Sequence, residues 1–295
     1  MRYASSDLDA WLLEALKDAE FPYEDEQYED VQLISSKHPY YTICAYGRRH
    51  TPFTRLPSNI RSHVFFRSRP ESRIFEIDIM NSQPVFLLID LMENEKKCST
   101  YNEQPSRLIP EAIHQGNHRL PQPFKGALLL CGTLCKFRQD VEDGELYDRL
   151  MKELGVTDRK AFKEDFFAHI LYGRVGKWAE ELPIVQAFVR LYPEVWRLIC
   201  EKKAADYRDL ARRMQQRESD FVFGRALPRF MKEHPTARVL TVHDAIYCEE
   251  RHKYELINIL NEEFAKLGVQ ANLRVTALAE RQRASEGRSA SCVAP

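Results

Sequence analysis

Near its C-terminal end the chain reads RVLTVHDAIYCEE, Arg238 to Glu250. Val239–Val242 is largely apolar, Ala245–Cys248 is apolar, and only His243-Asp244 separates them. Two β-prone runs joined by two polar residues have few options besides folding back as a hairpin with that pair at its tip. A carboxylate at the edge of so apolar a ribbon is costly unless a cation, a metal or a hydrogen-bond donor meets it. A second run, IFEIDI, carries a carboxylate at its end as well, Asp78. Two such strands side by side bring their carboxylates within a few ångströms. Like charges that close share a proton or hold divalent metal. Two Mg²⁺ ions about 3.5–4 Å apart can activate a hydroxyl and stabilise a leaving phosphate oxygen. Two other readings stay open: a strand-end Asp as a turn residue, and a metal phosphohydrolase built on His243-Asp244. The second needs further His ligands, and the other histidines form no second paired motif.

The 295 residues suffice for one large domain or two modest ones, and at 44% hydrophobic a sizeable core is possible. No apolar run approaches the roughly 18–20 residues of a membrane span. The N-terminal stretch MRYASSDLDAWLLEALKDAE is acidic and lacks the basic n-region of a secretory signal. Seven cysteines without regular spacing fit a reducing compartment, so a cytoplasmic location is expected. Cys131 and Cys135 read as small apolar residues on one helix face, since no partner pair stands at zinc spacing. The net charge of −1 hides an asymmetry: residues 1–32 hold ten acids against Arg2 and Lys17, which leaves the remainder at +7. An anionic partner for the body, and a cap or mask role for the acidic segment, are the expectations.

Residues 1–32 form an acidic helix and linker in this reading, 33–278 the body, and 279–295 a Ser/Arg/Glu/Ala-rich tail of disordered composition. VQLISS, YYTICAYG, RIFEIDI and ANLRVTAL have strand character. SQPVFLLIDLMENEK has helical character, as does most of the stretch from about Pro123 to the hairpin. A few strands therefore flank a large helical insertion, with the two carboxylate strands on either side of it. This predicts an α+β fold with a small sheet completed late in the chain.

Within the insertion, DRKAFKEDFFAHILYG places Arg159 and Lys163 four apart on one helix face. Phe167 continues the face and Tyr172-Gly173 closes the segment. Cations on the early turns and an aromatic farther along suit a triphosphate and a stacked base. A solvated amphipathic helix with an aromatic core stripe accounts for the same pattern.

Taken together and in order, these segments resemble the three motifs of family A nucleic-acid polymerases, the group that contains DNA polymerase I and the single-subunit phage-type RNA polymerases. FEIDIMNSQP is similar to motif A, RKAFKEDFFAHILYG to motif B and TVHDAIYC to motif C. GRRHTPFTRLPSNIR, GELYDRLMKELGVTD, RLYPEVW and RRMQQRESDFVF resemble intervening stretches, so the likeness covers roughly residues 45–275. The resemblance implies a small antiparallel palm-type sheet with a fingers-like helical insertion, in a compact form. It implies a nucleotidyltransferase that extends a primer on a template with nucleoside triphosphates and no membrane. Asp78, Asp244 and the carbonyl of Ile79 would hold two Mg²⁺ ions, for which Mn²⁺ can substitute. Arg159 and Lys163 would bind the incoming triphosphate, Tyr172 would stack near the nascent pair, and Gln216 and His243 would touch the duplex near the primer end. Gln83, five residues after Asp78, stands where DNA-making members carry a bulky Glu against the sugar and RNA-making members a small residue. That leans toward a DNA polymerase, without proofreading because no exonuclease motif is present. An RNA polymerase or primase-like enzyme, and a non-catalytic nucleic-acid-binding protein of the same fold, are the alternatives. Two departures stand out: Ala245 follows His-Asp where family DNA polymerases usually carry Glu, and Lys163 to Tyr172 is one residue longer than the usual spacing.

Overall fold

The structure, a computed structural model, describes residues 30, 42–45, 47–61, 64, 66, 69, 71–99 and 132–278. The N-terminal helix, the VQLISS strand, Cys131 and the 279–295 tail of the sequence reading lie outside the described residues. The chain is α+β. It divides into two compact units, one of residues 1–83, 212–266 and 271–295, the other of residues 84–211 and 267–270.

The first unit holds the sheets. Strands β1 (Thr42–Ile43) and β2 (Arg49–His50) form a short antiparallel pair. Strands β3 (Ile74–Ile79), β4 (Val239–Val242), β5 (Ala245–Glu249) and β6 (Leu273–Ala277) form a four-stranded antiparallel sheet in the order β4-β5-β3-β6. The central position of β3 follows from its composition: Ile74, Phe75, Ile77 and Ile79 are all buried, as suits a strand covered on both faces. By alternation Ile74, Glu76 and Asp78 share one face with their cross-strand partners Glu249, Tyr247 and Ala245. That face packs on Phe53, Leu56 and Phe66, with Phe53 edge-on to Tyr247 at 5.1 Å. Each of its two buried acids meets a donor. The Tyr247 hydroxyl donates to Glu76 at 2.8 Å, and Arg69 donates to both oxygens of Glu249 at 2.8 and 2.9 Å. A buried carboxylate left without such donors would cost several kcal/mol.

The second unit is helical. Its core is a run of aromatic pairs: Tyr147 against Phe166 at 5.2 Å, Phe137 against Tyr192 at 5.3 Å, and Phe188 against Tyr192 at 5.2 Å. The Tyr192 hydroxyl donates to buried Asp140 at 2.7 Å, and Arg149 pairs with the same carboxylate at 2.6 Å. Burial, and then Asp140, hold the Tyr192 phenol well above its ordinary pKa. The stretch LPIVQAFVRLYPEVWRLICEKK, continuous in its apolar spacing, is two helices, Pro183–Leu191 and Pro193–Lys203. Tyr192 breaks it at φ −137°, ψ 57°, because a residue before proline is driven out of the α region. The segment from Arg159 is likewise composite: an α-helix, Arg159–Asp165, continues as a π-helical turn, Phe166–Leu171. Asp158 caps its start, accepting from the N–H groups of Lys160 and Ala161 at 2.9 and 3.1 Å.

Candidate active site

The hairpin tip is a two-residue loop. Val242 pairs with Ala245 across it, so His243 and Asp244 alone make the turn. Two-residue hairpin loops favour positive φ at their first residue, a place usually held by Gly or Asn. His243 occupies it at φ +54°, a conformation that costs on the order of 1–3 kcal/mol for a side-chain-bearing residue. Asn81, three residues past Asp78, has the same positive φ. Both carboxylate segments thus carry a left-handed residue at the sheet's edge.

Asp78 is the cross-strand partner of Ala245, the residue next to Asp244. The sheet thereby brings Asp78, near the end of β3, beside the β4–β5 turn that carries Asp244. Asp78 is half-buried and paired with Arg274, its register neighbour on β6. Asp244, also half-buried, has its carboxyl pushed up to about 7, first by burial and then by the charges of Glu218 and Asp78, while the Ser82 hydroxyl draws it back. Ile79, the last residue of β3, is buried.

His243 is edge-on to His50 at 5.8 Å. Burial, and then Arg48, His50 and Arg61 around it, push the His243 imidazole down to about 4. Its Nδ1 is buried without a hydrogen-bond partner among the described residues. At neutral pH this ring is uncharged, so it suits a hydrogen bond to a neutral edge better than an ion pair with phosphate. Gln216 is exposed on the Tyr207–Ser219 helix. The turn at Gly47 rests on that helix: the Ser219 hydroxyl donates to the Gly47 carbonyl at 2.6 Å, and a Cβ on Gly47 would sit 3.6 Å from Gln216.

Gln83 is 3% exposed and bound within the protein. Its Nε2 donates to Glu218 at 2.5 Å, beside Ser82 at 3.2 Å and Arg48 at 2.9 Å. Sequence reasoning singled out Gln216 on this helix and missed Glu218. The available signal was its place on the stripe Leu210, Met214, Glu218, where each residue is four from the last and all three are buried.

In the helical unit Arg159 and Lys163 lie over the Tyr147 ring, at 5.9 and 5.1 Å. They share a face, as their spacing predicts, and Arg159 is ion-paired with exposed Asp148. Tyr172 is half-buried with its ring 5.5 Å from Phe167. The stretch between Lys163 and Tyr172 contains the π turn. Tyr172 N–H bonds back five residues, to the Phe167 carbonyl at 2.8 Å, and a π turn takes up one residue more than an α turn over the same rise. Gly173 is required here, because a Cβ would meet the Ala168 carbonyl oxygen at 2.3 Å. Lys203, fully buried, closes the turn by donating to the Ile170 and Gly173 carbonyls, each at 2.8 Å. Burial lowers its ammonium to about 8.

Among the described residues no three His, Cys, Asp or Glu side chains are gathered in metal-ligating fashion, and no helix is long and apolar enough to cross a membrane. The donor set still fits Mg²⁺. This ion commonly takes one or two carboxylates and completes its shell with water and substrate phosphates. Burial first, and then the neighbouring acids Glu218 and Asp78, keep the Asp244 carboxyl protonated up to about 7.

No family model matches the chain, nor does any curated protein. Among solved structures it is similar to the POL domain of Pol1 from M. smegmatis, in complex with DNA primer-template and dNTP. The identity is 13% and the TM-score 0.35, over 86% of this chain and 49% of that one. The chain thus spans about half the length of that neighbour.

Proposed function

We propose that the chain is a Mg²⁺-dependent nucleotidyltransferase that extends a primer on a template, with deoxynucleotides as its preferred substrates. The observation that carries this reading is the pairing of β3 with β5, which sets Asp78 beside the Asp244 turn in the order the motifs predict. Asp78 and Asp244, with the backbone of Ile79, would hold the metal. Bound there, Mg²⁺ supplies the charge that activates the primer hydroxyl and stabilises the leaving diphosphate.

The chain's own side chains have separate tasks in this scheme. Arg159 and Lys163 take the triphosphate, and Arg159 exchanges Asp148 for a phosphate oxygen in doing so. Tyr172 offers a ring face to the nascent pair. Neutral His243 and exposed Gln216 meet the duplex through hydrogen bonds rather than charge. Gln83 presents its bulk to the sugar at the 2′ position.

Primer extension with each dNTP and NTP, on DNA and RNA templates with Mg²⁺ or Mn²⁺, tests the proposal. Template-dependent addition is expected, with dNTPs preferred. Binding of primer-template without addition under every condition would leave a nucleic-acid-binding protein, and primer-independent phosphate release would indicate a hydrolase.

A further inference from the structure

Glu218 is a charged side chain, 1% exposed, in the middle of the sheet-bearing unit. Both its oxygens are engaged. Oε1 accepts from Arg48 Nε at 3.1 Å and Nη2 at 2.9 Å, and Oε2 accepts from the Ser82 hydroxyl at 3.2 Å and from Gln83 Nε2 at 2.5 Å. Burial raises the Glu218 pKa, while Arg48, Gln83 and Ser82 draw it back. Stability alone is a poor reason to keep such a group, since well-packed apolar replacements of buried ion pairs are often neutral or stabilising. What the carboxylate does achieve is geometric. It joins the Gly47–Arg48 turn to the first two residues of the helix Ser82–Ser99, and those residues follow Asp78 by four and five positions.

The Gln83 amide is the partner whose orientation matters. Gln83 Nε2 donates to Glu218 Oε2, so the amide's NH₂ edge faces the carboxyl group and its carbonyl oxygen is turned to the other side. At 3% exposure the side chain has little room to pivot, and the left-handed Asn81 before the helix keeps the backbone between Asp78 and Gln83 from following an ordinary α-turn. A group held this firmly can act as a wall, whereas the same group on a free rotamer yields to contact.

We infer that Glu218 is a specificity-positioning residue: it locks Gln83 so that the glutamine excludes the 2′-hydroxyl of a ribonucleotide. The inference rests on the polymerase reading above. Arg48 neutralises the carboxylate, and Glu218 holds the amide; sugar choice depends on that relay as well as on the bulk of Gln83.

The readout is kcat/KM for a dNTP divided by that for its matching NTP, measured on the full-length protein with primer-template. Glu218→Ala is expected to lower this ratio about tenfold, the size of a fit lost at one contact. Glu218→Gln retains an acceptor for Gln83 and is expected to keep the ratio within about threefold. Because Glu218→Ala strands Arg48, the double variant Glu218→Met/Arg48→Met removes acceptor and cation together. It is expected to fold with a Tm near wild type and to show the same loss of ratio. A lower Tm or kcat with an unchanged ratio in the folded double variant would make Glu218 structural and overturn the inference alone. An equal loss for both sugars, relieved by raised Mg²⁺, would place Glu218 with the metal carboxylates and overturn it likewise. A wild-type protein that extends no primer with either sugar overturns the polymerase reading and the inference with it.

Discussion

Asp244 concentrates the instability of the hairpin tip in one side chain. Its carboxyl sits at about 7 in the folded protein, against about 3.9 in an unfolded chain. The folded state therefore binds the proton more tightly. The stability this confers is complete below about pH 4 and is lost as pH rises through about 7. Asp244→Asn removes the charge that must otherwise be buried at higher pH. Without metal at pH 8 its Tm is expected to exceed that of wild type by a few degrees, since ~1 kcal/mol moves Tm by about 2–4 °C in a chain this size. The gap should close toward pH 4; a melting series showing no gain at pH 8 would refute the burial argument. The same substitution, like Asp78→Asn, is expected to cut primer extension by at least about 10²–10³-fold, the scale on which a preorganised electrostatic contact is lost. Near-wild-type extension by either purified variant would remove both acids from the mechanism. Gln83→Gly is expected to raise NTP use relative to dNTP use by roughly 10–200-fold, which the same kinetic ratio measures. A constant ratio in an active variant would return Gln83 to a purely structural place beside Glu218.

The element that repays attention is the Arg159–Leu171 segment, α-helical for its first half and π-helical for its second. The π turn lets buried Phe162 ahead of it, and buried Phe166, Ile170 and Leu171 within it, all reach the core. Deleting exposed Ala168 from the π turn should close it to α-helical bonding while leaving both sets of side chains in register. Deleting exposed Glu164 from the α half should rotate Phe166 by about 100° away from Tyr147, at a cost of about 3–5 kcal/mol for a buried aromatic. Thermal melts of the two single deletions decide the matter. Comparable stabilities would show that the π turn has no special capacity to absorb a residue.

For the whole molecule the governing quantity is charge distribution. Residues 1–32 carry the whole acid excess, a net −8, and the remaining chain is net +7. Contacts from that body to phosphates release condensed counterions. With six or more such contacts, affinity for primer-template should fall about 10³-fold or more between 50 and 200 mM salt. Removing residues 1–32 is expected to tighten binding if the acidic segment competes with nucleic acid for the same surface. Fluorescence anisotropy across a salt series reads both effects: a flat salt profile argues against a duplex-binding surface, and an unchanged affinity on truncation removes only the competition.

The sequence by itself determined the strand that carries Asp78, the two-residue hairpin that holds Asp244 at its tip, and the shared face of Arg159 and Lys163. Each rests on local periodicity or turn chemistry, which operates over a few residues. It did not mark the π turn Phe166–Leu171, because a change in hydrogen-bond register leaves no compositional trace. Tertiary structure alone decided the rest. Arg274 reaches Asp78 from a strand 196 residues later, and Glu218 gathers Arg48, Ser82 and Gln83 from segments more than a hundred residues away. In the sequence Glu218 is one acid in a very polar helix. Only the packing of that helix against the Gly47 turn and the start of the Ser82–Ser99 helix makes it a buried anion, because burial and charge pairing are properties of the surroundings and not of the residue.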